Sequence, residues 1–522
     1  MTSFETIDYA IIFAYAIMIM TMGLRFGRSK KGVQKDSKDY FLAGNSLAWW
    51  AIGASIIASN ISAEQFIGMS GSGFAIGLGI ASYEFIAAAS LIVVAVFFLP
   101  VFLKEKIYTM PQFLELRYGK TVRMMMAFFW LLVFIFINLT SIIYLGALAI
   151  NKIVGLPIVW SIIGLALFAG IYAVYGGLKA VALTDIVQVI FLIGGGILTT
   201  WFALDHFAAG EGPFAGFVKL LSVAPEKFDM ILDHSDPNYE YLPGVGVIVG
   251  GLWISALYYF GCNQYIIQRA LAGKSIREAQ LGLVFAGLLK LILPLIVVIP
   301  GIVAFALDAP IDKPDEAYPW LMHNFIPSGV KGVAFAALAA AVISSLASMV
   351  NSISTIFTMD IYRTIRKGEA DERSLVKVGR IVGGLSLVIA VTITPLLSNL
   401  EQVFQFIQEF TGFVSPGALA IFVMGFYWKR SEEHGAIAAA IGTFVVSIIM
   451  KIWVPEVGFI DRMAYTFLIC VVLIVIFGLC FKRNPGARHI EIERKMFETS
   501  RLFKLLSLVI VLILVMIYSF FW

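Results

Sequence analysis

GASIIASNISAEQFIGMSGSG, residues 53–73, and GGLWISALYYFGCNQYIIQRA, residues 250–270, decide the fold of this chain. Each is long enough to cross a bilayer, yet neither reads as a plain apolar helix. The first sets Asn60, Ser62, Glu64 and Gln65 at membrane depth and follows them with Gly68, Gly71 and Gly73. The second carries Gly250, Gly251, Gly261, Asn263 and Gln264 among aromatic residues. In polar, glycine-interrupted spans a helix can break and offer backbone carbonyls as ligands. Small and polar residues also let helices pack closely, but two such spans at matching positions favour the first reading.

The surrounding composition says what these spans sit in. Of 522 residues, 60% are apolar and 14% charged, and the mean hydropathy is +0.90. Soluble proteins carry about 25% charged residues, so a water-soluble surface is excluded and a polytopic membrane protein is expected. About fourteen apolar runs approach the roughly 20 residues needed to cross about 30 Å of hydrocarbon. They lie near 8–26, 47–70, 74–103, 124–150, 154–176, 181–205, 246–269, 280–307, 331–358, 378–398, 402–427, 435–452, 463–481 and 503–522. Helices satisfy their own backbone in lipid, and the dyad alternation of a β-barrel is missing. The N-terminal run lacks a basic n-region and a small-residue cleavage site, and reads as the first span rather than a signal peptide. Cys262, Cys470 and Cys480 share no CxxC spacing, which argues against a disulfide framework or a metal site. The net charge of +4 comes with no basic cluster interleaved with aromatics, so no nucleic-acid partner is expected.

The loops orient the bundle. RFGRSKKGVQKDSKDY, KEKIYTMPQFLELRYGKTVR, RALAGKSIR, YRTIRKGEADERSLVKVGR and FKRNPGARHIEIERKMFETSRLFK fall on one side and hold about 30 of the 38 Lys and Arg. The opposite segments, 205–245 and 308–316, are acidic. The basic side is read as cytoplasmic, which puts both termini outside. The two unusual spans are five apart, so spans 2–6 and 7–11 form two five-helix units that enter from opposite faces. The expected organisation has an N-terminal helix and loop (1–45) and a core (46–430) ending in three further helices (431–522). Within the core, repeat 1 covers about 46–205, an extracellular segment about 206–245 and repeat 2 about 246–430. The fold class is thus an all-α membrane protein of about 14 transmembrane helices, with a LeuT-type 5+5 inverted-repeat core broken in spans 2 and 7.

Charges within the bilayer are rare and usually functional. Glu84, Lys290, Asp185, Gln405, Gln408 and Glu409 all fall within apolar runs. Together an acid, a base and amides line a polar cavity for a hydroxyl-rich solute; singly they make internal ion pairs and helix–helix hydrogen bonds. The ninth span is rich in Ala and Ser, including Ser344, Ser345, Ser348, Ser352 and Ser354. Such hydroxyls either ligate an alkali cation beside a broken helix or simply pack helices tightly.

At NISAEQFIGMSGSG (60–73), VYGGLKAVALTDIVQ (174–188), LYYFGCNQYIIQR (257–269), SSLASMVNSISTIFTMDIY (344–362) and FIQEFTG (406–412), the chain resembles the solute:sodium symporter family. The resemblance spans nearly the whole chain and is strongest to the sodium/galactose and sodium/glucose cotransporter branch. It implies a Na⁺ site built from the carbonyls of Ala58, Ile61 and Ala341 and the hydroxyls of Ser344 and Ser345. It implies a sugar site of Gln65, Glu84, Lys290 and Gln408, with Tyr259 stacking on the sugar as inner gate. Met69, Tyr83 and Phe404 would close the outer side, and Asn60 would hydrogen-bond the gate region. Asp185 and Ser348 mark a second cation path; the alanine at 347 removes one hydroxyl from it, so one Na⁺ per solute is expected. Ala256, Ala87 and Phe260 depart from the galactose pattern of Asn, Ser and Trp and point to a different sugar.

The expectation is therefore a Na⁺/sugar or Na⁺/polyol symporter of the bacterial inner membrane. Na⁺, a small polyol and the lipid bilayer are its expected partners, and a monomer its expected form. The competing reading is a Na⁺ symporter for an amino or carboxylic acid, for which Lys290 is the candidate counter-charge. An enzyme is not expected: His206, His234, His323, His434 and His489 are scattered in loops. No soluble segment is long enough for a sensor's output domain.

Overall fold

Apolar side chains on the outside and small or polar ones between helices follow from lipid being the solvent. Leu167, Val218, Leu396, Trp453 and Phe520 are all exposed, whereas Ser55, Ser59, Asp185, Ser344 and Ser345 are fully or almost fully buried. The computed structural model describes residues 4–27, 41, 43–107, 109–366, 371–399, 403–481 and 490–522. Among these the regular secondary structure is helical, apart from one isolated bridge between Leu47 and Gly273. Much of the predicted basic loops, at 28–40, 367–370 and 482–489, lies outside the described residues.

Among the described residues ten helices are long and apolar enough to cross a membrane, and twelve if each of two bent pairs is one span. The sequence led us to expect fourteen. The expected spans near 47–70 and 154–176 appear as an interrupted run from Trp49 to Ala75 and as Ile158–Gly176. The first is not one long helix because it is broken.

Both unusual spans are broken. The first runs α1, Trp49–Asn60, then extended backbone at Ile61 (φ −79°, ψ 109°). A π-helical turn, Glu64–Met69, and α2, Ser70–Ala75, follow. α3, Ser82–Val93, carries Glu84 in its first turn. α4, Leu178–Phe207, carries Asp185. The second broken span runs α5, Gly251–Leu257, a π-helical turn at Tyr258–Cys262, extended Asn263 (φ −89°, ψ 120°) and α6, Gln264–Leu271. Its halves are bent by 50°. α7, Ile276–Lys290, ends on Lys290; α8, Val330–Ile356, is the serine-rich span. α9, Val403–Gly412, carries Phe404 and Gln408 and is bent by 42° against the helix Ser415–Tyr427. α10, Arg501–Phe520, is the last span.

The first helix, Thr6–Gly27, is tied to the core through Asp8. Its carboxylate accepts the N–H groups of Gly329 (2.8 Å) and Gly332 (2.7 Å). It also accepts the Ser328 hydroxyl at 3.2 Å. The two N–H groups are donors that a helix start leaves without intrahelical partners, so Asp8 caps α8 from another span.

Three arginines read as loop charges are core groups. Arg117 and Arg269 are fully buried and Arg123 nearly so. Arg117 donates to the carbonyls of Gly425 and Trp428, each at 2.9 Å. Arg123 pairs with Asp360 at 2.8 Å and with Glu115. A buried guanidinium persists only where its donors are met, and here tertiary neighbours meet them.

Candidate functional site

The two breaks face one internal cavity of about 70 Å³. Its walls include Asn60, Gln65 and Met69 from the first broken span, Tyr83 and Glu84 from α3, and Tyr259 from the second. Lys290 of α7 and Phe404 and Gln408 of α9 complete the set. All nine side chains expected at the solute site and its gates therefore meet in one place. Of the three polar residues singled out on α9, only Gln408 lines it. Glu409 instead pairs with Lys451 at 2.9 Å and Arg462 at 3.3 Å.

Each polar group is set by local structure. Gln65 folds back on the break, its Oε1 accepting Ser62 N–H at 2.9 Å and the Ser62 hydroxyl at 3.2 Å. This caps the second half of the span and leaves the amide nitrogen as a donor. Lys290 Nζ donates to Glu84 Oε2 at 2.5 Å, with both side chains buried. Asn60 Nδ2 donates to the Tyr259 hydroxyl at 3.1 Å, and that hydroxyl also contacts Tyr265. On the expected outer side, the Tyr83 and Phe404 rings meet edge-on at 5.4 Å. Phe404 presses on the first broken span at Gly68, where an added Cβ would stand 2.7 Å from Phe404 Cβ.

Sequence reasoning placed Glu64 and Asn263 at membrane depth but assigned them no role, and passed over Asn138, Ser255 and Thr411. All five line the cavity. Glu64 Oε1, Asn60 Oδ1 and Asn263 Oδ1 are buried without a hydrogen-bond partner. Buried polar atoms normally have one, so each break presents an asparagine acceptor to whatever fills the cavity. Ala87, Ala256 and Phe260 give the same cavity an apolar wall.

Behind the first break lies a second polar cluster. The Ser345 hydroxyl donates to the carbonyls of Ser59 (2.9 Å) and Ile61 (3.4 Å), which the broken helix frees. Ser344 donates to Asp185 Oδ1 at 2.6 Å. Ala58 and Ala341 are fully buried on the same two helices. Hydroxyl and carbonyl oxygens without thiolate or imidazole are a hard donor set, suited to an alkali or alkaline-earth cation. Asp185 is further filled by Ser55 (2.5 Å) and Ser59 (3.4 Å), and Arg269 stands 3.9 Å away. Ser348 binds Ser59 at 2.8 Å and receives an Arg269 N–H. Arg269 was not foreseen; the signal for it was the need of a buried Asp185 for a cation.

An all-helical membrane protein with two spans broken at matching positions around a polar cavity is a secondary transporter of the LeuT type. A substrate-bound, outward-open Na⁺-coupled sialic acid symporter superposes with a TM-score of 0.80 and 24% identity, covering 93% of this chain and all of that one. A nucleobase-cation-symport-1 family transporter in a closed conformation gives 0.56 and 13%, covering 87% and 98%. The model of the sodium:solute symporter family matches residues 40–442. The sodium/glucose cotransporter of Vibrio parahaemolyticus is 48% identical, over 99% of this chain and 98% of its own. Sodium/myo-inositol cotransporter 2 of Mus musculus is 32% identical over 86% and 70%. The chain belongs to the sodium:solute symporter family.

Proposed function

We propose that this chain couples inward Na⁺ flow to uptake of a neutral sugar or polyol by alternating access, with one Na⁺ per solute. The observation that carries the reading is the sharing of one helix break. Its cavity side presents Asn60 and Gln65, and its other side presents the Ser59 and Ile61 carbonyls to Ser345. A cation held by those carbonyls fixes the break, and the same break positions the amides that meet the solute. Each ligand thereby favours the conformation that binds the other, and the coupling is reciprocal. Membrane potential supplies about 2.3 kcal/mol per charge at 100 mV, and a tenfold Na⁺ gradient about 1.4 more. Together they sustain roughly several-hundredfold accumulation.

In this reading Gln65, Glu84, Lys290 and Gln408 bind hydroxyls, Tyr259 closes the inner side, and Met69, Tyr83 and Phe404 the outer. Two observations favour a neutral solute over an amino or carboxylic acid. Lys290 is bound to Glu84, so it is not a free counter-charge. Glu64 adds a further carboxylate to the cavity. The apolar wall of Ala87, Ala256 and Phe260 suits a solute lacking a hydroxyl on that side, because sites built to bind a hydroxyl reject its absence strongly. Arg269 beside Asp185 supplies the positive charge that a second cation would bring, which supports a stoichiometry of one. We place the repeats at about 46–205 and 246–430, the protein as a monomer in the bacterial inner membrane, and both termini outside.

The test is uptake of labelled glucose, galactose and myo-inositol into proteoliposomes, with an inward Na⁺ gradient against a K⁺ control. Na⁺-dependent accumulation of one of them is expected, lost in Gln65→Ala and shifted to higher Na⁺ in Ser345→Ala. Equal uptake in Na⁺ and K⁺ would reject sodium coupling.

A further inference from the structure

The last helix lies outside the expected repeats, yet it reaches both charge carriers of the cavity from behind. On α10, Ile510 is fully buried and packs on Gly287 of α7, where an added Cβ would stand 3.0 Å from Ile510 Cδ1. Gly287 is one turn before Lys290. Two turns further along α10, the Tyr518 hydroxyl donates to Ser82 Oγ at 2.9 Å. The Tyr518 ring meets Phe85 edge-on at 6.2 Å. Ser82 opens α3, and Ser82 and Phe85 bracket Glu84. Just past the helix, the Phe521 carbonyl accepts Met230 N–H at 2.8 Å. Beside Met230, Lys227 Nζ donates to the carbonyl of Ala75, the last residue of α2, at 2.7 Å. α10 and the segment it holds therefore touch the two helices that carry Glu84 and Lys290, α3 and α7, and the end of the first broken span at α2.

We propose that α10 braces the Glu84–Lys290 pair, with Tyr518 as a positioning residue that fixes Glu84 through Ser82. The pair joins two separate spans. Its 2.5 Å contact depends on how α3 and α7 are held, and a binding constellation works only when its groups stay within about 0.5 Å of the productive geometry. A helix serving only to shield these spans from lipid needs nothing beyond apolar contacts, which Leu512, Val515 and Met516 already offer to the outside. A hydroxyl pair turned inward beside Glu84 is a different device. It sets the rotation of the first turn of α3, and with it the direction of the carboxylate. The inference rests on Glu84 being a ligand of the transported solute.

The experiment measures uptake of labelled glucose, galactose and myo-inositol into proteoliposomes under an inward Na⁺ gradient, for the unmodified protein, Tyr518→Phe, Ser82→Ala, their double variant and Glu84→Gln. Removing one hydrogen bond of ordinary net strength should raise the sugar half-saturation about three- to tenfold in both Tyr518→Phe and Ser82→Ala. The double variant should rise no further, maximal rate should hold within about twofold, and Na⁺-induced thermal stabilisation without sugar should be unchanged. An unchanged sugar half-saturation in both single variants, or an equal weakening of the sugar and Na⁺ responses, overturns the brace. If Glu84→Gln itself leaves the sugar half-saturation unchanged, or the unmodified protein takes up none of glucose, galactose and myo-inositol, the sugar-site reading falls first, and the brace with it. A melting temperature for each variant separates misfolding from repositioning, and Ser82→Ala keeps the test standing if Tyr518→Phe does not fold.

Discussion

Two buried acid–base pairs sit in one helical core and are built differently. Glu84 and Lys290 touch directly at 2.5 Å and form part of the cavity wall. Asp185 and Arg269 stand 3.9 Å apart. Serine hydroxyls surround that carboxylate, and the guanidinium donates to Ser55 (3.1 Å), Ser348 and the Tyr265 carbonyl. A bare pair beside a cavity keeps lone pairs and protons that a solute hydroxyl can share. A padded pair has its valences filled and holds α1, α4, α6 and α8 together behind the first break. Burial of charge thus serves recognition in one place and architecture in the other.

The sharpest way to break this contrast is Arg269→Met. It leaves Asp185 buried without its cation, a loss of about 3–5 kcal/mol for a broken buried pair. The melting temperature of the purified protein should fall steeply, and adding Asp185→Asn should restore much of it. If the double variant melts no higher than the single, the pair is not the structural unit described. Next comes Glu84→Gln, whose effect belongs to the solute. Truncating one partner of a desolvated pair costs about 2–5 kcal/mol. The sugar half-saturation should rise about thirtyfold or more, while Na⁺ still stabilises the protein without sugar. A smaller effect is expected from Ser345→Ala, which removes one oxygen from the carbonyl cluster. Its Na⁺ half-saturation should rise roughly fivefold, with the number of Na⁺ per solute unaltered.

The smallest effect concerns an acid that has neither arrangement. Asp315, in the segment between α7 and α8, is buried and accepts Val403 N–H at the start of α9 at 3.2 Å. Burial pushes its carboxyl up to about 7, against the lowering by that N–H and by Lys313. A carboxyl whose folded pKa is raised keeps its full contribution at low pH and loses it as pH rises, here between about 4 and 7. Asp315→Asn keeps an acceptor for Val403 and should therefore melt higher than the unmodified protein above pH 7, with the difference vanishing below pH 4. A pH-independent difference would show that Asp315 does not titrate in this window.

Much of this was legible beforehand, for stated reasons. Asn60, Glu64, Gln65 and three glycines within an apolar run cost too much in lipid to be accidental, and the backbone does break at Ile61 and Asn263. Arg269 was not legible. It follows a polar span and precedes a run of loop residues, so it reads as the first base of a cytoplasmic loop. Only the 50° bend between the halves of that span turns α6, and Arg269 with it, into the core. Arg117 and Arg123 misread because Gly425 and Trp428, and Asp360, which meet them alongside the nearby Glu115, lie more than two hundred residues away. Glu409 misread the other way, as a cavity residue, because Lys451 and Arg462 come from later helices.

The sequence by itself determined the solvent, the helical class, the two places where helices break and the family. These depend on composition and on local cost, since each unpaired polar group in lipid must be answered within or beside its own span. Tertiary structure decided which charges meet. Pairing depends on how bent helices approach one another, and that geometry is set by packing across the bundle rather than by neighbours in the chain. It made Arg269 the partner of Asp185, set the last helix against the spans of Glu84 and Lys290, and separated Gln408 from Glu409 one residue away.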